Sequence, residues 1–148
     1  MRKLTMVFMF LVCLISYGQI HNPVKWTTIV ERISDYESEL IAIATLDDEW
    51  HIYSQEIGEG GPIPTLFSFA GDKRYLKKGN TKEEEGYIID DEIFNMRIKY
   101  FDNKAVFKQR VRLKTNEKFV IKGTVEFMVC SNETCLPPKE VDLSFAIN

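Results

Sequence analysis

The sequence contains few of the residue types that build most metal and cofactor sites. Its 148 residues include two histidines and three cysteines. A closed zinc site requires four ligands, and neither His21 nor His51 stands at a ligand spacing from a cysteine, so zinc binding is disfavoured. No glycine-rich phosphate loop and no Ser/His/Asp set occurs, and His51 is interpreted as a strand histidine rather than a catalytic base. We therefore expect no cofactor.

The chain also lacks clustered positive charge, and it has only one long apolar run. Without a basic patch, nucleic acid is disfavoured as a partner. The apolar run covers residues 6–15, which is too short to span a bilayer. No second run of this kind follows, so the mature chain is expected not to span a membrane.

The N-terminus has the pattern of a secretory signal peptide. Arg2 and Lys3 precede the apolar run, and small residues follow it before Gln19. Cleavage there removes residues 1–19, including Cys13. The mature domain, residues 20–148, keeps 17 basic and 22 acidic residues, a net charge of −5, and is long enough for one domain with its own core. The sequence therefore predicts a periplasmic protein.

Most of the mature chain alternates apolar and polar residues with a period of two, which is typical of half-buried strands. The pattern is clearest in KFVIKGTVEFMVC, AVFKQRVRLK and EVDLSFAI, and further strands are predicted in WTTIVERIS, ELIAIATL, WHIYSQ and PTLFSFAG. Frequent turns without an amphipathic helix predict an all-β fold, an immunoglobulin-like antiparallel β-sandwich. A β-barrel is the alternative.

Two connections are predicted between these strands. Asp102-Asn103-Lys104 is a favourable turn sequence, and it predicts a hairpin between MRIKYF and AVFKQRV. The segment LKKGNTKEEEG, residues 76–86, is charged and contains glycine, and it predicts a solvated loop.

The mature chain keeps two cysteines, Cys130 and Cys135, and an oxidising compartment favours a disulfide between them. The strand alternation places Cys130 opposite the core face of Phe127 and Val129, so we expect it on an outer or end surface. Cys135 lies in the connection to the last strand, where Pro137 stiffens the backbone after it.

A disulfide across so short a loop stabilises the fold only weakly. The loop-closure relation gives about 2 kcal/mol for this loop, against nearly 5 kcal/mol for a loop of about a hundred residues. Short accessible bridges are often the labile or catalytic ones. The spacing alone leaves three alternatives open: a redox couple, a structural bridge in a binding module, and a copper(I) site with Met128 as a third soft ligand.

The segment FMVCSNETCLPPKEVDLSF resembles the active-site segment of the N-terminal periplasmic domain of DsbD-type thiol:disulfide interchange proteins. The matching residues are Cys130, Cys135, Pro137 and Pro138. The upstream stretch EWHIYSQEIGEGGPIPTLFSF and the segment DEIFNMRIKYFDNKAVFKQRVRL also resemble this family. The resemblance covers about residues 25 to 147.

The resemblance implies an immunoglobulin-like fold and a cysteine pair that cycles between dithiol and disulfide. It implies that Cys135 forms mixed disulfides and that Cys130 resolves them. The implied partners are a membrane-embedded thiol electron donor and thioredoxin-like periplasmic proteins. Because this sequence ends at Asn148, before the further domains of the best-known members, those donors are expected to be separate proteins.

Members of this family carry an acidic and aromatic loop that covers the cysteines. The best positional match here is TKEEEGYIID, with Glu85 and Tyr87 as candidate cover residues. Carboxylates near the thiols would raise their pKa values and slow unwanted exchange. The alternative is that this acidic run is an ordinary solvated loop.

Overall fold

The computed structural model describes residues 21–92 and 94–148. The predicted signal peptide, residues 1–19, lies outside this range. The described residues form eleven strands and no helix, and so no helix that could cross a membrane. The strands are β1 (Val24–Arg32), β2 (Glu37–Leu46), β3 (His51–Tyr53), β4 (Leu66–Phe69), β5 (Tyr75–Glu83), β6 (Tyr87–Asp91), β7 (Met96–Asp102), β8 (Lys104–Leu113), β9 (Phe119–Phe127), β10 (Val129–Cys130) and β11 (Lys139–Ile147).

The strands pair into three antiparallel sheets. The first has the order β1-β2-β8-β5, the second β10-β3-β7-β6 and the third β11-β9-β4. The chain passes from β9 in the third sheet into β10 in the second through the single residue Met128. One strand path therefore connects the third sheet to the sheet that carries Cys130.

All three sheets contribute to one main hydrophobic core. The predicted alternation is confirmed in β9, where Phe119, Ile121, Val125 and Phe127 are buried and the polar residues between them are not. The first sheet contributes Leu40, Phe107 and Val111, the second Ile52, Phe101 and Val129, and the third also Leu143 and Phe145. Because alternate strand residues point to opposite faces, each sheet places one face in this core.

The predicted solvated loop at residues 76–86 is wrong for most of its length. Residues 75–83 form β5, an edge strand that pairs with β8 and shifts register between Lys78 and Lys82. Gln109 of β8 is only 1% exposed, and its amide donates to the Lys78 carbonyl at 3.0 Å and accepts from the Thr81 hydroxyl at 2.9 Å. Edge strands pair on only one side and often carry charged side chains such as lysine. The sequence of β5, rich in lysine and with one glycine, is therefore easily interpreted as a solvated loop.

The predicted hairpin between β7 and β8 is also wrong, although the turn itself lies where it was expected. Asn103 adopts the left-handed conformation, with φ of 57°. The chain then leaves the second sheet and enters the first, where Lys104 pairs with Thr45 and the Asn103 carbonyl accepts from Leu46 at 2.8 Å. The turn therefore connects two sheets and does not close a ladder between its own strands.

Candidate functional site

A disulfide joins Cys130 and Cys135, as the sequence favoured. Cys130 ends β10, and Cys135 forms an isolated antiparallel bridge with it, with 4.0 Å between the two Cα atoms. The two sulfur positions are therefore held on facing arms of a short turn.

Main-chain hydrogen bonds close this turn on both sides of the disulfide. The Ser131 amide donates to the Thr134 carbonyl at 2.7 Å, and the Leu136 amide donates to the Val129 carbonyl at 2.9 Å. The Ser131 hydroxyl also accepts from the Thr134 amide at 3.2 Å. The segment between the cysteines is therefore ordered by its own backbone as well as by the sulfur bond.

The two cysteines differ in exposure. Cys135 lies on the surface, whereas Cys130 is only 2% exposed. The strand parity predicted the correct face for Cys130, opposite the core side of Val129. The expectation that this face is open to solvent is wrong, because a second hydrophobic cluster covers it.

This second cluster is centred on Tyr53, Ile98 and Cys130. It lies on the face of the β10-β3-β7-β6 sheet that points away from the main core. The half-buried side chains that pack against it are Ile57, Phe94, Met96, Tyr100 and Met128. Cys130 is therefore enclosed by apolar and aromatic groups. One of them is Met128, the third ligand of the copper(I) alternative.

The turn between β6 and β7 supplies one of the covering side chains. Phe94 packs against the second cluster, and its amide donates to a carboxylate oxygen of Asp91 at 2.9 Å. Glu85 and Tyr87 were the candidate cover residues predicted from the family resemblance. Both of those residues are exposed, and the Tyr87 ring packs against Tyr100 with 5.8 Å between centroids.

A cysteine, a histidine and an aspartate lie in one row across three neighbouring strands. Cys130 of β10 is the register partner of His51 of β3, and His51 is in turn the register partner of Asp102 of β7. The His51 Nε2 atom lies 3.2 Å from the Tyr53 hydroxyl, and its ring centroid lies 5.0 Å from that of Tyr100. Sheet register is not visible in a single strand, so this row could not be predicted from the sequence.

Burial dominates the electrostatics of this row. It lowers the pKa of His51, against the opposing charges of Asp102 and Asp91. Burial, helped by Asp91, raises the pKa of Tyr53 to about 12. At neutral pH the imidazole is therefore uncharged and the phenol keeps its proton.

A partly buried carboxylate lies on a neighbouring strand and was not predicted from the sequence. Glu83, at the end of β5, accepts from the Ser54 hydroxyl at 2.5 Å and from the Gln55 amide at 2.8 Å, and it pairs with the Lys99 ammonium at 3.0 Å. Burial alone would raise the pKa of Glu83, but these partners outweigh it and lower the pKa. Within the run Glu83-Glu84-Glu85, nothing in the sequence distinguished the first residue.

Comparison with known proteins identifies the family of the chain. The family model described as "Thiol:disulfide interchange protein DsbD, N-terminal" matches residues 24–146. A comparison with curated protein sequences gives no match.

Several solved structures share the fold. The N-terminal domain of DsbD from Neisseria meningitidis, in the reduced form, is 13% identical and aligns with a TM-score of 0.56 over 88% of this chain and 93% of its own. The N-terminal periplasmic domain of ScsB from Proteus mirabilis is 16% identical, with a TM-score of 0.54 over 86% of this chain and 49% of its own. The DsbD N-terminal domain is also seen in complex with the PilB N-terminal domain from Neisseria meningitidis, at 12% identity and a TM-score of 0.53, over 86% of this chain and 88% of the other.

The structural likeness confirms the predicted immunoglobulin-like antiparallel β-sandwich. The family model spans both cysteines and nearly all of the described strands. The chain therefore belongs to the family of DsbD N-terminal domains.

Proposed function

We propose that this chain is a periplasmic thiol–disulfide exchange domain whose Cys130–Cys135 pair cycles between dithiol and disulfide. It takes reducing equivalents from a membrane-embedded thiol donor and passes them to oxidised thioredoxin-like periplasmic proteins. The observation that carries the proposal is the asymmetry of the disulfide, in which one sulfur is exposed and the other is buried. Family membership and the DsbD–PilB complex of Neisseria meningitidis support the choice of partners.

The asymmetry assigns different roles to the two sulfurs. Thiol–disulfide exchange proceeds by attack of a thiolate on a sulfur of a disulfide, and the rate depends on access. Only Cys135 is open to a partner protein, so it forms the mixed disulfide. Cys130 stays enclosed beside it and displaces the partner in the second step.

The structural-bridge alternative predicts a different thermodynamic property. We expect the reduction potential of the purified mature domain, measured in glutathione buffers with thiol trapping, to lie between about −270 and −120 mV, the range of known exchange proteins. A value below about −300 mV is typical of bridges that resist the glutathione pool. That result would leave a binding module with a structural disulfide.

A matched pair of variants tests the assignment of roles. Cys130→Ala is expected to accumulate a mixed disulfide with an oxidised thioredoxin-like protein, because the attacking sulfur remains and the resolving sulfur is gone. Cys135→Ala is expected to form none, because its remaining thiol is buried. Equal trapping by the two variants would contradict the assignment.

A further inference from the structure

We propose that His51 is the proton-transfer residue of Cys130, accepting the thiol proton when the Cys130 sulfur attacks the mixed disulfide on Cys135. This inference rests on the proposed exchange function. It assigns a chemical role to a residue that the sequence analysis interpreted as a strand histidine.

The strand register places His51 directly opposite Cys130. Cys130 and His51 are direct partners in the β10–β3 ladder. Directly opposed residues on antiparallel strands share one face and have Cβ atoms about 4.5–5.5 Å apart. His51 is therefore the neighbour of Cys130 on β3, opposite the side that Cys135 occupies, and it carries a group that can accept a proton.

The remaining groups around the imidazole fix its position and protonation state. Tyr53, on its own strand, bonds Nε2, and Tyr100 and Asp102 of β7 face it from the other side. Asp91, the last residue of β6, adds a second negative charge near the His51 imidazole. Burial outweighs these carboxylates and lowers the pKa of His51, so the ring is neutral at pH 7 and can take up a proton.

A pocket gives solvent access to this row. His51, Tyr100 and Asp102 line it together with Asn132 from the turn between the cysteines. A proton taken from Cys130 can therefore leave through water without crossing the core.

Cys130 needs such an acceptor because its surroundings disfavour a thiolate. Apolar enclosure opposes formation of any charged group, and Cys130 is 2% exposed. When the Cys130 sulfur attacks the Cys135 sulfur, a new intramolecular S–S bond forms and the bond from Cys135 to the partner breaks. The electron pair leaves on the partner thiolate, which is thereby reduced, and the Cys130 proton moves to His51 and then to that thiolate or to water.

The test separates the two exchange steps in the reduced mature domain. One equivalent of the aromatic disulfide dithiobis-nitrobenzoate releases a first coloured thiolate when Cys135 attacks and a second when Cys130 resolves the mixed disulfide. We expect His51→Asn to slow the second release about tenfold or more at pH 7 and to leave the first within about twofold. The matched control is His21→Asn, which removes the other histidine of the chain, and we expect it to change neither release.

The pH profile provides a readout that a purely structural role would not move. In the parent protein the second release should become faster as the pH rises through the pKa of His51, and then level off. In His51→Asn this inflection should be lost. A second release that is equally fast and keeps the same inflection in the variant overturns the proposal.

Two further measurements distinguish a failure of the His51 proposal from a failure of the exchange function or of folding. If the parent protein releases only one thiolate, the pair does not resolve and the exchange function itself fails. If His51→Asn does not fold, the proposal is tested by NMR in the parent protein, where the titration of the His51 imidazole is followed in both redox forms. The titration midpoint of His51 should differ between the dithiol and disulfide forms, and an unchanged midpoint overturns the proposal.

Discussion

Glu83 accepts a 2.5 Å hydrogen bond from the hydroxyl of Ser54. Glu83 ends β5 in the first sheet, and Ser54 directly follows β3 in the second sheet. The same carboxylate pairs with Lys99 of β7. This contact therefore connects the first and second sheets next to β3, the strand that pairs with β10 at Cys130.

Replacing Glu83 by glutamine is expected to lower the free energy of unfolding by about 2 kcal/mol at pH 7, because buried donors lose a charged acceptor. The pKa of Glu83 is lowered below its ordinary value of 4.5, so the unfolded chain binds the proton more tightly. The stabilisation is therefore present above about pH 4.5 and is lost as the pH falls further.

Urea unfolding at several pH values checks this prediction. The difference between the parent protein and Glu83→Gln should shrink as the pH falls below 4.5. The control is Glu140→Gln, on an exposed position of β11, which should change little at any pH. A difference that does not depend on pH would show that the charge of Glu83 is not the source of its effect.

Alkylation of the reduced protein should distinguish the two thiols. Cys135 is exposed and Cys130 is 2% exposed, so we expect the thiol left in Cys130→Ala to react with iodoacetamide at least about tenfold faster than the thiol left in Cys135→Ala. In denaturant the two variants should react alike. Similar rates in the native state would contradict an enclosed Cys130 in the dithiol form.

Phe94→Ala is expected to open the cover of the second cluster. The ring of Phe94 packs against the cluster that contains Cys130, and its removal leaves space for solvent and reagent. We expect the alkylation of Cys130 in the Cys135→Ala background to become about threefold to tenfold faster. The control is Ile88→Ala, a side chain of β6 that is 59% exposed, which should leave the rate unchanged.

Gln109→Leu is expected to destabilise the fold although it makes the core more apolar. The Gln109 amide satisfies the Lys78 carbonyl in the β5 register shift and bonds the Thr81 hydroxyl. Leucine leaves these groups without that partner, at a cost of about 2 kcal/mol in the free energy of unfolding. The milder change Thr81→Val should cost about half as much, and urea unfolding of both variants measures the ratio. A neutral Gln109→Leu would mean that water replaces the amide.

The apolar alternation of β8, β9 and β11 predicted about half of the main core, because burial selects one face of a strand. The same pattern failed at β5, where Tyr75 is the only buried residue of the strand. An edge strand with charged side chains carries little hydrophobic signal, and its identity depends on pairing with β8. Pairing between distant segments is a property of the fold and cannot be read from either segment alone.

The sequence predicted the two cysteines of the candidate site but not the side chains that surround them. Cys130 and Cys135 were found by count and spacing, and the parity of β9 and β10 gave the correct face for Cys130. The enclosure of that face by Phe94 and Tyr53 depends on how a distant turn folds over the sheet. The alignment of His51 with Cys130 likewise depends on a two-residue ladder, which is too short to leave a pattern in the sequence.

The backbone bonds that flank the disulfide also affect what a partner protein can recognise. The Ser131–Thr134 and Leu136–Val129 hydrogen bonds do not involve sulfur, so we expect the turn to stay closed when the S–S bond is broken. The turn should then have nearly the same surface shape in the oxidised and reduced domains, and shape alone would not let a partner protein distinguish the two forms. In the proposed exchange, the potentials of the two partner proteins would then decide which way the electrons move.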